Sequence, residues 1–285
     1  MPSKQSARDA GDAEDLLAVL KLIAERAGKE ILAYYVAAGE GEGPEVREKA
    51  DATPVTEADE AAEAFILEAL AKLTPDIPVV SEEAAAAGHT PDVSGGRFWL
   101  VDPLDGTREF LSRNGEFTVN IALVEDGRPV AGVVHAPALA MTWTGALPGA
   151  GTGTGGKADG PAVATFSETD KETMAIRVRE MPAEGATVIA SRRHGSSDLL
   201  DEFLRDYTVK DRVSAGSSLK FCLVASGRAD LYPRFGRTME WDTAAGHAVL
   251  LAAGGSVETV DGKPLTYGKP GFENPFFIAR GGKAG

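Results

Sequence analysis

FWLVDPLDGTREF, from Phe98 to Phe110, is the stretch on which the reading of this chain turns. Its first four residues are apolar and long enough for one buried strand. Pro103 cannot donate to a ladder, so the strand is expected to stop at Asp102. Asp105 follows three residues on, Gly106 closes the turn, and Thr107 opens a short helical segment. A strand ending in carboxylates that passes into a helix start sets oxygen ligands for a hard cation beside backbone N–H groups that suit an anion. That pairing suits a metal-bound phosphate.

Working outward, IPVVSEE (Ile77 to Glu83) reads as a strand ending at Glu82 and Glu83. TEADEAAEAFILEAL reads as a helix capped by Thr56, with Asp59 three residues inside it, where a carboxylate favours the helix dipole. Asp12 to Ala38 reads as a long helix, with Leu16, Leu20, Ile23, Ala27 and Ile31 at helical spacing. Downstream, EFTVNIALVEDGRPVAGVVHAPALAMTW reads as two strands around a hairpin turn at Asp126-Gly127. Phe117, Val119, Ile121 and Leu123 alternate there with Thr118, Asn120 and Ala122, and His135 reads as structural.

Gly151, Gly153 and Gly156 formally match GxGxxG, but no strand leads in and no helix follows before Pro161. The stretch Gly149 to Gly160 reads instead as a flexible hairpin tip and a seam between lobes. Beyond it, strands at TVIAS (Thr187 onward), KDRVSAGSS and Asp230 to Tyr232 alternate with helices over Ser197 to Tyr207 and Leu219 to Ser226. A helix from about Asp242 ends at Gly254-Gly255, and strands at Ser256 to Val260 and Pro275 to Ala279 close the chain. The expectation is an α+β lobe over residues 1–160 carrying most of the carboxylates, and an α/β/α lobe over 161–285 completing the site.

The 285 residues, 43% hydrophobic and 25% charged, suffice for one large domain or two lobes. A net charge of −14 argues against nucleic acid as a partner. A small phosphorylated substrate would need the local field reversed, which divalent cations would do. No apolar run approaches the roughly twenty residues of a membrane span. MPSKQSARDAGDAED lacks the apolar segment of a signal peptide. The single cysteine, Cys222 in LKFCLVA, reads as core and fits a reducing cytoplasm.

Glu82, Asp102, Asp105 and Asp242 each fall at a strand end or a helix start. Two carboxylates about 4 Å apart repel by roughly 4 kcal/mol at an effective dielectric of 20, so such a group calls for cations. Oxygen ligands without a Cys pair or HxxxH select Mg²⁺ or Mn²⁺ over Zn²⁺.

Together, SEE (Ser81 to Glu83), DPLDGT and WDTAAG (Trp241 to Gly246) resemble the Mg-dependent, lithium-sensitive phosphomonoesterase superfamily of inositol monophosphatase. KADATPVTEAD (Lys49 to Asp59), GSSLKFC (Gly216 to Cys222) and DLYPRFG (Asp230 to Gly236) resemble its 3'(2'),5'-bisphosphate nucleotidase branch of the CysQ type. The resemblance runs from about Asp15 to Ile278. It implies a layered αβαβα sandwich. It also implies that Glu82, Asp102 and the Leu104 carbonyl hold one Mg²⁺, with Mn²⁺ as a substitute. Asp102, Asp105 and Asp242 would hold a second ion, and Asp59 with Glu82 a weaker third. Asp59 and Thr107 would be the catalytic pair that orients the attacking water. Gly106 and Thr107 would cradle the phosphoryl group, which also meets Glu82, Leu104, Asp105 and Asp242.

Ser191, Arg192, Arg193, His194, the stretch Gly216 to Lys220 (with Ser217, Ser218 and Lys220) and Arg234 are the candidates to hold the nucleoside and its 5'-phosphate. The implied activity is hydrolysis of adenosine 3',5'-bisphosphate to AMP in the cytoplasm, within sulfur assimilation, with the sulfated nucleotide as a further substrate. An inositol or sugar phosphate phosphatase stays open as the alternative. A silent anion-binding module would require a damaged ligand, and none is evident. The CysQ type extends the expectation to peripheral contact with the inner membrane, for which no basic amphipathic helix is visible. Arg108 stands where relatives often carry Lys, outside the ligand set.

Overall fold

Helix α1 (Lys4–Ala37) is followed by a ribbon of β1 (Val46–Glu48) and β2 (Pro54–Thr56), and then by α2 (Glu57–Leu73). Thr56 caps α2 as expected. Its hydroxyl accepts from Ala58 N at 3.2 Å, and Asp59 accepts from Thr56 N at 2.9 Å, a reciprocal capping box. Next come β3 (Val79–Ser81), the helical turn α3 (Glu82–Ala86), β4 (Arg97–Asp105) and α4 (Thr107–Leu111). Strands β5 (Thr118–Glu125), β6 (Arg128–Ala136), β7 (Met141–Ala146), β8 (Val163–Glu168) and β9 (Met174–Ala175) then complete a seven-stranded sheet ordered β3-β4-β5-β6-β7-β8-β9.

The rest of the chain alternates β10 (Ala186–Ala190), α5 (Ser197–Phe203), β11 (Val209–Ser214), α6 (Leu219–Ala225), β12 (Leu231–Arg234) and α7 (Glu240–Ala252). It closes with β13 (Ser256–Thr259) and β14 (Phe277–Arg280), and the five strands form a sheet ordered β11-β10-β12-β14-β13. This computed structural model describes residues 4–37, 46–48, 54–150, 162–169, 171–190 and 197–282.

Strand alternation sorts the core into layers. In β4, Trp99 and Val101 pack with Leu20, Ile31 and Ile66 of α1 and α2. Phe98 and Leu100, on the opposite face, join Phe221, Val249 and Phe277 between the two sheets. Val188 and Leu231 face outward from the smaller sheet, under Leu200 and Phe203. The order is therefore α1 and α2, large sheet, α6 and α7, small sheet, α5, which is the expected αβαβα sandwich. Helix α7 lies tight on the large sheet because two strand positions are glycine. A Cβ on Gly132 would meet Ala245 O at 2.8 Å, and one on Gly145 would meet Val249 Cα at 2.5 Å.

Several local expectations need correction. Strand β4 does not stop at Asp102 but runs to Asp105, with a register shift between the two. Pro103 therefore sits in a bulge, where no ladder hydrogen bond is asked of it. Glu82 and Glu83 begin a helical turn rather than end a strand. The segment through Trp143 holds three strands, not two. Its hairpin at Asp126 (φ 48) and Gly127 (φ 76) has the two left-handed residues of a primed turn, and a single helical turn at Pro137–Leu139 leads on to β7. Helix α7 starts at Glu240, before Asp242.

Strands β8 and β9 add to the large sheet, and sheet membership changes between Ala175 and Ala186. A division into two lobes remains a proposal. The glycine-rich residues 151–160, Lys49, Asp51 and Ser191 to His194 lie outside the described residues. His135 is buried, with Nδ1 2.9 Å from Thr142 Oγ1 and 3.2 Å from Met141 O, and burial pushes its pKa down to about 4. Cys222 is buried in the core, and burial raises its thiol.

Candidate active site

Strands β3 and β4 run parallel, with Ser81 opposite Val101. The next residue on each, Glu82 and Asp102, therefore emerge side by side at the carboxyl ends of the pair. Helix α7, seated on Gly132 and Gly145, brings its first turn to the same edge. One carboxylate oxygen from each of Glu82, Asp102 and Asp242 lies within 4.8 Å of the others. Asp102 is 1% exposed, and its Oδ1 accepts from Leu104 N at 3.0 Å. Asp242 Oδ2 accepts from Met239 N at 2.8 Å. The start of α7 is pinned in turn by Glu240, fully buried, which accepts from Gly268 N at 2.7 Å and Lys269 N at 2.9 Å. The Lys269 ammonium, 2.7 Å from Glu240 Oε1, balances that buried charge.

Asp105, beyond the bulge, is not part of that three-residue cluster, but its charge acts on Glu82 and Asp242. Burial raises its carboxyl to about 6; the Lys220 ammonium opposes this, the Glu82 charge adds to it, and hydrogen bonds from Ser218 and Asn120 oppose it. Asp242 is pushed well above the ordinary carboxylate range by burial and then by the charges of Asp105 and Glu82. Carboxylates crowded this closely call for a positive charge, and the donors of the three-residue cluster are all oxygens. The set fits a hard divalent cation.

Thr107 Oγ1, at the start of α4, lies 3.4 Å from Asp59 Oδ1 and 3.4 Å from Leu104 O. Asp59 divides its two oxygens: Oδ2 accepts from Thr56 N at 2.9 Å and Thr56 Oγ1 at 2.6 Å, while Oδ1 faces Thr107. Capping the helix thus occupies Oδ2 and leaves Oδ1 facing Thr107. Gly106 has φ 91, and a Cβ there would collide with Ser217 Oγ, so the turn needs glycine twice over.

The residues expected at the nucleotide have partners of their own. Ser217 Oγ lies 2.8 Å from Asp105 O and 2.7 Å from Glu116 O, and Gly216 N donates to Glu116 Oε2 at 2.7 Å. Lys220 is buried; its Nζ donates to Ser217 O at 2.6 Å and Ala215 O at 3.3 Å, 5.5 Å from the centre of the Tyr232 ring. Burial pushes its pKa down to about 8, against the pull of Asp105. Arg234 is buried too; Nη2 donates to Arg237 O at 2.9 Å, and Nε meets no acceptor among the described residues. Its charge reaches Asp242 and lowers that carboxyl.

Asn120 is an addition, and Ser218, expected within the nucleotide-holding stretch Gly216 to Lys220, lies instead between the carboxylate-bearing elements. Asn120 Nδ2 lies 3.0 Å from Ser218 Oγ and 3.4 Å from Asp105 Oδ2, and Ser218 Oγ donates to Asp242 O at 2.7 Å. The signal was present: an amide in the middle of TVNIALV, a strand otherwise built of β-branched and aliphatic residues.

Comparison with known proteins follows the same lines. Residues 12–275 match the inositol monophosphatase family. The 3'(2'),5'-bisphosphate nucleotidase CysQ of Salmonella typhimurium is 48% identical over 257 residues, covering 90% of this chain and 95% of that protein. The protein of the same description from Escherichia coli K12 is 46% identical with the same coverage. Among solved structures, CysQ from Bacteroides thetaiotaomicron superposes with a TM-score of 0.73 at 34% identity, covering 94% of this chain and 97% of that one. An inositol monophosphatase from Anabaena (Nostoc) sp. PCC 7120, at 23% identity and a TM-score of 0.68 over 94% of this chain and 91% of its own, shares the fold.

Proposed function

We propose that this chain, which belongs to the inositol monophosphatase family, hydrolyses the 3'-phosphate of adenosine 3',5'-bisphosphate to give AMP and inorganic phosphate. One observation carries the reading: Glu82, Asp102 and Asp242, from three separate elements, converge in a chain that also holds GSSLKFC and DLYPRFG and whose relatives bear the nucleotidase name. The sulfated nucleotide is a second substrate in this reading. Inositol or sugar phosphates are the competing one. The proposed compartment is the cytoplasm, and contact with the inner membrane is not part of the proposal. No described helix is long and apolar enough to cross a membrane.

Glu82, Asp102 and the Leu104 carbonyl would hold one Mg²⁺, and Asp102, Asp105 and Asp242 a second. Asp59 with Glu82 would hold a weaker third, and Mn²⁺ would substitute. When bound, the ions would neutralise the carboxylates, polarise the phosphoryl oxygens and acidify the attacking water. The rest falls to the chain's own groups. Thr107 Oγ1 would accept a hydrogen from the water while donating its own toward Asp59 Oδ1, 3.4 Å away. The water oxygen would then bond to phosphorus as the bond from phosphorus to O3' breaks, and the proton that the water gives up would reach O3' through solvent, leaving the hydroxyl of AMP. The amides of Gly106 and Thr107, at the start of α4, would meet the phosphoryl oxygens. Lys220 and Arg234 carry positive charge near Asp105 and Asp242, and in this reading that charge would meet the second phosphate.

The test is phosphate release from adenosine 3',5'-bisphosphate, inositol monophosphate and fructose bisphosphate, each with Mg²⁺ and with a chelator. The bisphosphate nucleotide should be turned over best, and only with the divalent ion. A preference for inositol or sugar phosphates, or turnover that the chelator leaves intact, would refute the proposal.

A further inference from the structure

We propose that Asn120 and Ser218 act as one positioning pair that sets Asp105 against Asp242 and so tunes the divalent-cation site that Asp102, Asp105 and Asp242 would form. The inference rests on the metal-binding reading above. Asp105 is carried by the large sheet and Asp242 by the start of α7, so no short stretch of chain fixes their separation. Asn120 bridges the gap. It lies opposite Asp102 in the β4–β5 ladder, on the far side of the bulge that re-aims Asp105. Its Oδ1 accepts from Thr118 Oγ1 at 3.1 Å, which fixes the orientation of the amide. Both hydrogens of Nδ2 then face the site, one toward Ser218 Oγ at 3.0 Å and one toward Asp105 Oδ2 at 3.4 Å.

Ser218, just before α6, takes the first of these on its oxygen, and its one hydrogen has two acceptors in reach, Asp242 O at 2.7 Å and the Asp105 carboxylate. The pair therefore links β5, the residue before α6 and the first turn of α7, and touches both Asp105 and Asp242. Both members are closed to solvent, Asn120 at 1% and Ser218 at 2% exposed. An amide in a strand buried on both faces is a poor choice for packing alone. Its hydrogen bonds are directed at the two carboxylate-bearing elements, which is the work of a positioning residue.

The experiment is Mn²⁺ binding to the whole chain without substrate, by calorimetry and electron paramagnetic resonance, for wild type, Ser218→Ala, Asn120→Ala, the double variant and Ser218→Thr. Thermal melts and steady-state kinetics accompany it. Each alanine variant should weaken one Mn²⁺ binding event about tenfold and keep the other within about twofold, the size of effect seen when a ligand's hydrogen-bond partner is removed. The double variant should lose no more than the worse single, because the link is broken once. Ser218→Thr, which keeps the hydroxyl, should restore most of the affinity.

Melting temperatures that fall while both binding events stay unchanged would overturn the pair and leave a purely structural role. Losses that multiply in the double variant would overturn the link. Should Asn120→Ala not fold, Ser218→Ala, which removes one oxygen, decides the matter alone. A wild-type chain that binds no Mn²⁺, or only one ion, overturns the metal reading itself.

Discussion

Asp242→Asn should make the metal-free protein more stable and the metal-loaded protein inactive. The oxygens of Glu82, Asp102 and Asp242 lie within 4.8 Å of one another. At 4.8 Å and an effective dielectric of 20, each charged pair costs about 3.5 kcal/mol, and Asp242 takes part in two of the three pairs. The nominal repulsion that the substitution removes is therefore about 7 kcal/mol. Proton uptake by Asp242 and screening by water absorb most of it, which leaves an expected gain of about 2 kcal/mol. For a chain of this size that is a rise in Tm of about 4 °C.

Asparagine keeps an acceptor for Met239 N, so the helix start is not lost with the charge. In Mg²⁺ the order should reverse. Wild type gains about 2.7 kcal/mol at a hundredfold excess over its dissociation constant, while the variant gains much less. The assay is a pair of calorimetric melts near neutral pH, one in chelator and one in Mg²⁺, with phosphate release measured alongside. A variant that melts below wild type in chelator would show that these carboxylates do not repel as argued. Equal stabilisation of both proteins by Mg²⁺ would remove Asp242 from the ligand set.

Thr107→Ala should lower kcat about a hundredfold with little change in KM, because its hydroxyl faces Asp59 and would orient water without holding substrate; an effect confined to KM would reassign it. His135 should contribute to acid sensitivity. Its pKa is about 4 when folded and about 6.5 when unfolded, so the unfolded chain binds the extra proton and stability is lost as pH falls from 6.5 toward 4, by about 3 kcal/mol in full. His135→Gln should flatten that part of a denaturant-derived stability curve, with Glu25 and Lys21 still in place beside it, and parallel curves for the two proteins would refute the assignment. Arg234→Ala should cut kcat/KM for adenosine 3',5'-bisphosphate about ten- to a hundredfold, the value of a charge-assisted hydrogen bond, and leave any turnover of inositol monophosphate nearly unchanged. Equal losses on both substrates would tie Arg234 to the carboxylates alone.

Which acids matter could be read along the chain, whereas how they meet could not. SEE, DPLDGT and WDTAAG each announce a carboxylate at the end or start of an element. That Glu82 and Asp102 are neighbours depends on β3 pairing parallel to β4 with Ser81 opposite Val101, and a parallel pair has no turn to betray it. Pro103 misled because the rule that proline stops a strand applies to ladder positions and not to a bulge. Strand β8 escaped because VATFSE is short and follows a glycine-rich run, so the local signal reads as loop.

Asn120 shows the deeper limit. A sheet covered by helices on both faces has no wet side, so the alternation of Thr118, Asn120 and Ala122 with Val119 and Ile121 does not mark solvent. A polar group in such a strand must find its partners inside, and here it finds Ser218 and Asp105. The same logic revises the weight given to the cationic candidates. Residue type alone makes Ser217 and Lys220 look like anion binders, yet a half-buried hydroxyl and a buried ammonium are claimed first by the nearest carbonyls, those of Asp105, Glu116, Ala215 and Ser217. Arg234 differs, since it is equally buried and still keeps an N–H with no acceptor among the described residues. A buried donor left unmatched costs about 1–3 kcal/mol unless a ligand meets it. That is why Arg234, ahead of Lys220, is the residue on which recognition of the second phosphate should turn.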